Sequence, residues 1–506
     1  MRTRAHSDPT LSDLFDGLAA IAPAEDRAVA GLSMDSRATR PGDCFFACPG
    51  STRHGIEFVG DAVKSGAIAV AVDAKDNGVA LEACVPVIRV RDIRSKVGVI
   101  ADRFYGSPSQ DLQVIGVTGT NGKTSVSHFV AEVLSGSRDF GPCGLIGTLG
   151  SGPWGQLTPS TTTTPDPISL HRLLAEMRDQ KVRSVAMEVS SHGLNQGRIS
   201  GIRFDIAVFT NLSRDHLDYH GTMADYGEAK RLLFHSDGLK AAVINLDDSW
   251  GREILAGLTA EARVQGYSLE DAELQEIPIS VPCVQGRLWA MSNEGLTLDI
   301  TAPAGCGTLK NSLVGRFNAY NLLAALAVLL EVGMPFAEAI EGLSRVSGVP
   351  GRLERFGGEG KPLIVVDYAH TPDGLEKALW ALREVCDGQL WCVFGCGGER
   401  DPGKRPLMGQ VAEELADQVV VTSDNPRGED PMIIIENILA GLRHRDRAKV
   451  EPDRAKAIAE TIRKAGKNDV ILVAGKGHET YQEIAGRRVP FSDRDVVRGI
   501  MAGKVA

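Results

Sequence analysis

An apolar run that ends in a glycine-rich turn and then a Lys-Thr pair leaves few choices of fold. The segment Val114-Ile-Gly-Val-Thr-Gly-Thr-Asn-Gly-Lys-Thr124 reads as a buried strand, a tight turn and the start of a helix near Lys123. The backbone N–H groups of such a turn, with the helix N-terminus behind them, face an anion. Lys123 then reaches the outer phosphates of a nucleotide, and the Thr124 hydroxyl can hold Mg²⁺. The segment departs from the strict G-x-x-x-x-G-K-[ST] spacing. Position 117, where that spacing needs glycine, holds Val117, with Gly116 and Gly119 on either side of it. A glycine turn with a surface lysine is the minor reading, because it explains neither the strand before nor the helix after.

A phosphate loop of this kind belongs in a parallel α/β sheet, and the rest of the chain is patterned to match. Ala67–Val72 and Val85–Val90 read as buried strands in the N-terminal part. Val185–Met187, Ile206–Phe209 and Ala242–Asn245 follow the loop, with helical patterns between them. Leu363–Val366, Leu390–Phe394, Gln418–Val421 and Val470–Val473 repeat the theme later. Strands separated by helices make parallel sheets. Turn-rich breaks at Gly106–Gln110 and Ser347–Gly351 divide the 506 residues into three expected domains, 1–108, 109–346 and 347–506. That agrees with about 150 residues per domain.

Charge narrows the partners. The chain carries 55 basic and 65 acidic residues, a formal net charge of −10. It lacks the summed positive field that nucleic acid or an anionic membrane surface requires. Leu322–Leu330, the most apolar helical stretch, ends at Glu331 and is too short to span a bilayer. The nine cysteines include no C-x2-C pair, which argues for reduced thiols and against a zinc ribbon or a disulfide framework. No apolar core of signal-peptide length follows the N-terminus. A cytoplasmic protein working on small molecules is expected.

Several other residues carry candidate chemistry. Glu188 directly follows the apolar run Val185–Met187, at the strand end where α/β proteins place ligands. A carboxylate there can ligate or position Mg²⁺, or simply cap the next turn. Asp215-His-Leu-Asp-Tyr-His220 has two histidines at zinc spacing. It lies beside a phosphate loop and lacks a third soft ligand, so hard Mg²⁺ is the better fit. Lys230, in a helical pattern, reads by itself as an exposed lysine. Two tempting patterns fail. His478-Glu-Thr-Tyr-Gln482 lacks the second histidine of a zincin, and Phe394–Arg400 has Arg400 where a dinucleotide fingerprint needs glycine.

The string Thr118–Thr124 is also what muramyl ligases and folylpolyglutamate synthetases carry as their phosphate loop. The chain resembles the muramyl ligase family along nearly its whole length. Asp35–Arg37, Thr163–Pro165, Glu188–His192, Asn211–Asp218, Gly315–Asn318 and Asp367–His370 all match, as do Gly398–Asp401, Asp424–Arg427 and Gly475–Glu479. The resemblance implies an α/β fold: a central P-loop-type domain, a smaller N-terminal α/β domain and a C-terminal Rossmann-like domain. It implies a monomer that uses ATP and Mg²⁺ to make an amide bond. The substrates implied are a UDP-muramoyl dipeptide and an amino acid, meso-diaminopimelate where the loop reads Asp-Asn-Pro-Arg. The rivals are a lysine-adding muramyl ligase, a folylpolyglutamate synthetase and, outside ligases, an assembly NTPase.

Residue by residue, the resemblance implies ATP contacts at Gly119, Thr120, Asn121, Gly122, Lys123, Thr124, Ser125, Asn318, Arg352 and Asp367. With nucleotide groups on both sides of residue 347, closure of the last two domains around ATP is implied. The implied metal set is Thr124, Glu188, His216 and Lys230, the last as a carbamate; Lys123, Lys230, His216 and Glu188 are the catalytic residues. The UDP part would meet Met34, Ser36, Ser51, Thr52 and Arg53. The sugar-peptide part would meet Thr163, Thr164, Ser190, Gln196 and Arg198. Thr162 stands where relatives often have Asn. Diaminopimelate would meet Arg400, Asp424, Asn425, Pro426, Arg427, Gly475 and Glu479. Among these, the planar fork of Arg427 suits a bidentate carboxylate contact.

Overall fold

The computed structural model describes residues 8–50, 53–76, 84–160, 162–258, 262–269, 281–292, 294–358 and 360–503, with the backbone alone for Asp218. The expected UDP contacts Ser51 and Thr52 lie outside the described residues. The chain forms two compact units, Met1–Gln265 and Gly266–Ala506.

The first unit begins with a four-stranded parallel sheet in the order Gly31–Ser33, Asp43–Ala47, Ala69–Asp73, Val87–Val90. Asp43–Ala47 and Ala69–Asp73 are buried at every position. That burial on both faces is why Ala69–Val72 reads as an unbroken apolar run without alternation. Phe46, Ala69 and Ala71 pack with Leu11, Phe15, Val97 and Ile100 on one face. Phe45, Val70 and Val72 pack with Val59 and Ala62 on the other.

The phosphate-loop strand, Gln113–Thr118, sits inside a second sheet of this unit. Its parallel neighbours are Ser184–Glu188 on one side and Ile206–Phe209 on the other. Ala241–Asn245 and Cys143–Gly147 extend the parallel arrangement outward. Gly150–Pro153 closes one edge antiparallel. The register pairs Val117 with Glu188 and Thr118 with Phe209. The C-terminal ends of the central strands are therefore level, and the segments leaving them share one crevice rim. Helix Lys123–Gly136 starts directly after Gly122, whose φ of 86° is open to glycine at no steric cost.

The second unit contains an antiparallel meander, Cys283–Ser292, Gly295–Ala302 and Gly305–Asn311, which the apolar runs of the sequence do not mark. Its strands alternate buried and exposed residues, as in Val284, Leu296, Leu298 and Ile300. Helix Arg316–Val332 covers it, with Leu323 lying against Gly286. A six-stranded sheet follows, in the order Glu354–Gly357, Leu363–Asp367, Val470–Ala474, Leu390–Phe394, Gln418–Val421, Lys449–Val450. All its pairings are parallel except that of the first strand. The later apolar runs in the sequence are four of these strands, and helices cover both faces.

Candidate active site

The phosphate loop is a rigid cradle. Gly119 has φ 145°, and a Cβ there would lie 1.8 Å from Thr210 Oγ1. Asn211, leaving the neighbouring strand, clasps the loop. Its carbonyl accepts from the Thr120 amide at 2.8 Å, and its Oδ1 from the Asn121 amide at 3.0 Å. Thr120 Oγ1 lies 3.2 Å from the Tyr226 hydroxyl. Lys123 Nζ curls into the cradle and donates to the carbonyls of Gly119 and Thr120 at 2.8 and 2.9 Å. Ser125 is half-buried on the helix's first turn. Gly119→Ala is expected to abolish nucleotide binding: backbone strain of roughly 1–3 kcal/mol adds to the clash with Thr210. Calorimetric titration with ADP checks this.

Glu188 is the last residue of its strand and is buried. Its Oε2 accepts from Thr124 Oγ1 at 2.8 Å, and its Oε1 from the Thr148 amide at 2.7 Å. The register pairing with Val117 brings it to the cradle, so the turn-capping alternative gives way to a carboxylate aimed at the loop threonine. Thr124 and Glu188 thus offer hard oxygens side by side under a phosphate site, a donor set that fits Mg²⁺. His216 has φ 52° and a half-exposed side chain. Its Nε2 lies 3.4 Å from Asp215, and its ring stands edge-on to His192 at 4.8 Å.

Lys230 is not the exposed helix lysine that its local pattern suggests. Its helix, Met223–Arg231, turns it inward, and it is 1% exposed. Nζ donates to the Gly119 carbonyl at 2.8 Å and lies 4.2 Å from the Tyr226 ring centroid. Burial, reinforced by the charge of Lys123, pushes its pKa well below the usual lysine range against a small opposing pull from Asp215. Both effects disfavour the ammonium.

A chain of hydroxyls joins this centre to the expected sugar-peptide residues. Thr148 Oγ1 reaches Glu188 Oε2 and Thr163 Oγ1, both at 3.2 Å. Thr164 Oγ1 donates to the Glu188 carbonyl at 3.0 Å and meets Ser190 Oγ at 3.1 Å. Arg198 donates to the Thr164 carbonyl at 2.7 Å and grips Gln196 Oε1 at 3.0 and 2.7 Å. Thr163, Thr164, Ser190, Gln196 and Arg198 therefore form one connected set. Thr162 is exposed, and its carbonyl accepts from Ser160. In the N-terminal sheet region Ser36 is buried and Met34 packs on the core. Arg53 is exposed, lies over the Phe58 ring at 4.3 Å and pairs with Glu57 at 2.8 Å.

In the second unit, Asn318 is buried on the first turn of its helix and donates to the Val314 carbonyl at 2.8 Å. Arg352 stacks over Tyr368 at 4.9 Å. Asp367 ends its strand, accepting from the Leu353 and Ala369 amides at 2.7 and 2.8 Å. Burial raises its carboxyl pKa against the pull of Arg352.

The amino-acid candidates cluster at two strand ends. Asn425 Nδ2 donates to Glu479 Oε2 at 2.8 Å. A Cβ on Gly475, which has φ 117°, would stand 2.5 Å from Asp424 Oδ2. Pro426 is buried. Arg427 has φ 52° and donates from Nη1 to the Gly398 carbonyl at 2.7 Å. Arg400 is exposed, and both it and Arg427 pass beside Gly397. Lys476 is fully buried and bridges Asn425 Oδ1 at 3.0 Å and Glu479 Oε2 at 2.8 Å.

Thr148, Asn211, Tyr226 and Lys476 touch the candidate residues, and sequence reasoning gave none of them a role of its own. For Lys476 a signal existed, since it sits between the glycines of Gly475-Lys-Gly477. For Thr148 there was none, because a threonine after an apolar run is ordinarily a turn former.

Models of the Mur ligase family match in sequence along the chain. The family catalytic domain covers residues 28–105, the middle domain 117–329 and the glutamate ligase domain 351–477. The UDP-N-acetylmuramoyl-L-alanyl-D-glutamate--2,6-diaminopimelate ligase of Pseudomonas aeruginosa is 49% identical over 92% of this chain and 94% of its own length. The protein of the same name from Chromobacterium violaceum is 49% identical over 91% and 92%. A solved structure of a diaminopimelate ligase of that name superposes with a TM-score of 0.71 at 35% identity, covering 98% of this chain and 99% of its own. Matches so ordered, so long and so close in sequence mean that this chain belongs to the Mur ligase family.

Proposed function

We propose that this protein is the ATP-dependent ligase that joins meso-diaminopimelate to the D-glutamate γ-carboxylate of UDP-N-acetylmuramoyl-L-alanyl-D-glutamate, a step of peptidoglycan precursor synthesis. The observation that carries the choice of amino acid is the clustering of Arg427, which donates to the Gly398 carbonyl, with Asn425 and its partner Glu479 at the ends of two strands of one sheet. Diaminopimelate differs from lysine by a carboxylate beside its far ammonium. A cation for the one and acceptors for the other are what a selective pocket needs. The names of the relatives support the same reading.

The γ-phosphoryl group of ATP passes to the substrate carboxylate, giving an acyl phosphate and ADP. The diaminopimelate amine then attacks the acyl carbon and inorganic phosphate leaves. Lys123 and the cradle amides hold the phosphates in line and neutralise charge as it develops. Thr124, Glu188, His216 and a carbamate on Lys230 would hold Mg²⁺, which would supply further neutralisation of the phosphate charge. The carbamate forms when the neutral Lys230 amine attacks CO₂ and loses a proton. Its geometry supports this: a buried, cation-flanked amine beside the loop carbonyl. Gly119–Ser125 are read as contacts to the nucleotide phosphates; Asn318, Arg352 and Asp367 are also read as nucleotide-binding residues. Met34, Ser36 and Arg53 are read as UDP contacts, and Thr163, Thr164, Ser190, Gln196 and Arg198 as sugar-peptide contacts. Arg400, Asp424, Asn425 and Pro426 complete the diaminopimelate set.

Domain limits of 1–108, 109–346 and 347–506 accord with one family model falling inside each segment. Among the described residues no helix is long and apolar enough to cross a membrane. A cytoplasmic monomer fits an enzyme whose substrates are ATP and a nucleotide-linked sugar.

The deciding experiment supplies ATP, UDP-muramoyl dipeptide and equal lysine and meso-diaminopimelate, then separates products by mass. Lysine offers the Arg427 guanidinium no substrate carboxylate and leaves it only Glu483, 3.5 Å from its Nε, disfavouring lysine by roughly 2–5 kcal/mol. Diaminopimelate product should therefore exceed lysine product by at least roughly 30-fold. Comparable incorporation overturns the specificity but leaves the ligase chemistry standing. ADP release without dipeptide and amine would instead indicate an assembly NTPase. Arg427→Ala should raise the diaminopimelate KM steeply and the ATP KM little.

A further inference from the structure

Arg454 and Asp493 form an ion pair whose side chains are both 0% exposed. Nε and Nη2 of Arg454 donate to the two Asp493 oxygens at 2.7 and 2.8 Å. The guanidinium has further donors, and they go to backbone. Nη2 reaches the Ala474 carbonyl at 2.8 Å, and Nη1 the Ser423 carbonyl at 3.2 Å. Ala474 and Ser423 immediately precede Gly475 and Asp424, where the two amino-acid-binding segments begin.

Those segments have no ladder in common. Gln418–Val421 and Val470–Ala474 are separated in the sheet by Leu390–Phe394. Their sheet hydrogen bonds therefore fix each segment to the central strand and not to the other. Asn425 bonds directly to Glu479 and Lys476 further along the two segments, and Arg454 spans the gap at their starts with one planar group. Its placement argues for that task, because a cation on the first residue of helix Arg454–Lys464 opposes the helix dipole. A buried ion pair is also commonly replaceable by apolar residues without loss of stability. Stability alone therefore does not account for this pair.

We propose that Arg454, held by Asp493, is a positioning residue for amino-acid selection. It sets the separation between the Asp424–Arg427 segment and the Gly475–Glu479 segment, and so the span between the groups that meet the two ends of the side chain. This rests on the reading of those segments as the diaminopimelate site.

The test uses the full-length enzyme with Arg454→Lys, Asp493→Asn and the apolar double variant Arg454→Met/Asp493→Leu. The double variant leaves no unpaired buried charge, so it separates folding from positioning. Melting temperature, kcat and the KM of each substrate are measured, with the lysine-to-diaminopimelate product ratio. In the double variant, with melting temperature within a few degrees of the parent, the diaminopimelate KM should rise at least roughly 10-fold, since misplacement by about 1 Å costs up to roughly 10²-fold. The discrimination against lysine should fall with it, and the KM of the UDP-dipeptide should stay within about twofold. Arg454→Lys, with one donor point in place of a fork, should be intermediate. An unchanged diaminopimelate KM in the folded double variant overturns the proposal. So does a loss spread equally over all substrates in proportion to melting temperature. If the parent enzyme joins a different amino acid, the diaminopimelate reading fails, and the same KM comparison on that amino acid decides the positioning role. If it joins none, both fall.

Discussion

The Lys123→Ala protein is expected to fold and to ligate at least roughly 10²–10³-fold more slowly than the parent. The ammonium of Lys123 sits 2.8 and 2.9 Å from the carbonyls of Gly119 and Thr120, at the floor of a cradle built to receive phosphate. Removing it takes a fixed positive charge from the oxygens that gain negative charge as the phosphoryl group moves. The cradle itself does not depend on it: Asn211, through its carbonyl and its Oδ1, and Gly119 set the loop's path. Circular dichroism should therefore be unchanged while kcat collapses. Near-parental turnover in the folded variant would remove the nucleotide assignment from this loop.

Lys230→Ala is expected to be almost inactive, and small carboxylic acids such as acetate should partly restore it. The chemistry follows from where the amine lies. At 1% exposure, next to Lys123, its proton is held more weakly than an ordinary lysine's, which favours the free amine. Free amine is what adds CO₂, and the product turns a cation into an anion beside the proposed Mg²⁺ site. Acetate can enter the space left by alanine and supply that oxygen pair. An acetate-insensitive variant, or clear density for an unmodified ammonium in a crystal grown with Mg²⁺ and nucleotide, counts against the carbamate.

The parallel strands that read as apolar runs, such as Val70–Val72 and Val470–Ala474, were legible because burial on both faces forces such runs. Asp43–Ala47 and Cys143–Gly147, equally buried, were not, because Asp43, Gly144 and Gly147 break the pattern. The meander Cys283–Asn311 was not, because its exposed face admits Arg287 and Trp289 and dilutes the signal. The phosphate loop was legible from spacing. The burial of Lys230 was not, because its local helix is polar and the groups that enclose it, Gly119 and Tyr226, include one that lies 111 positions away in the sequence. Lys476 and the Arg454–Asp493 pair are charged side chains in the interior. A charged residue in sequence gives no sign of whether its partner comes from a remote strand or from water.

The pairing of Val117 with Glu188 across parallel strands bears on how far such an enzyme can be altered. Side chains alternate faces along a strand, so a slip of one residue in Ser184–Glu188 would swing the carboxylate to the opposite side of the sheet. The lengths of the interior strands are then a fixed gauge for the catalytic centre. The segments that leave their ends carry no such constraint, and insertions there are thermodynamically cheap. Substrate range can thus be rewritten in the connecting segments, one at a time, while the spacing of phosphate loop and carboxylate is inherited intact.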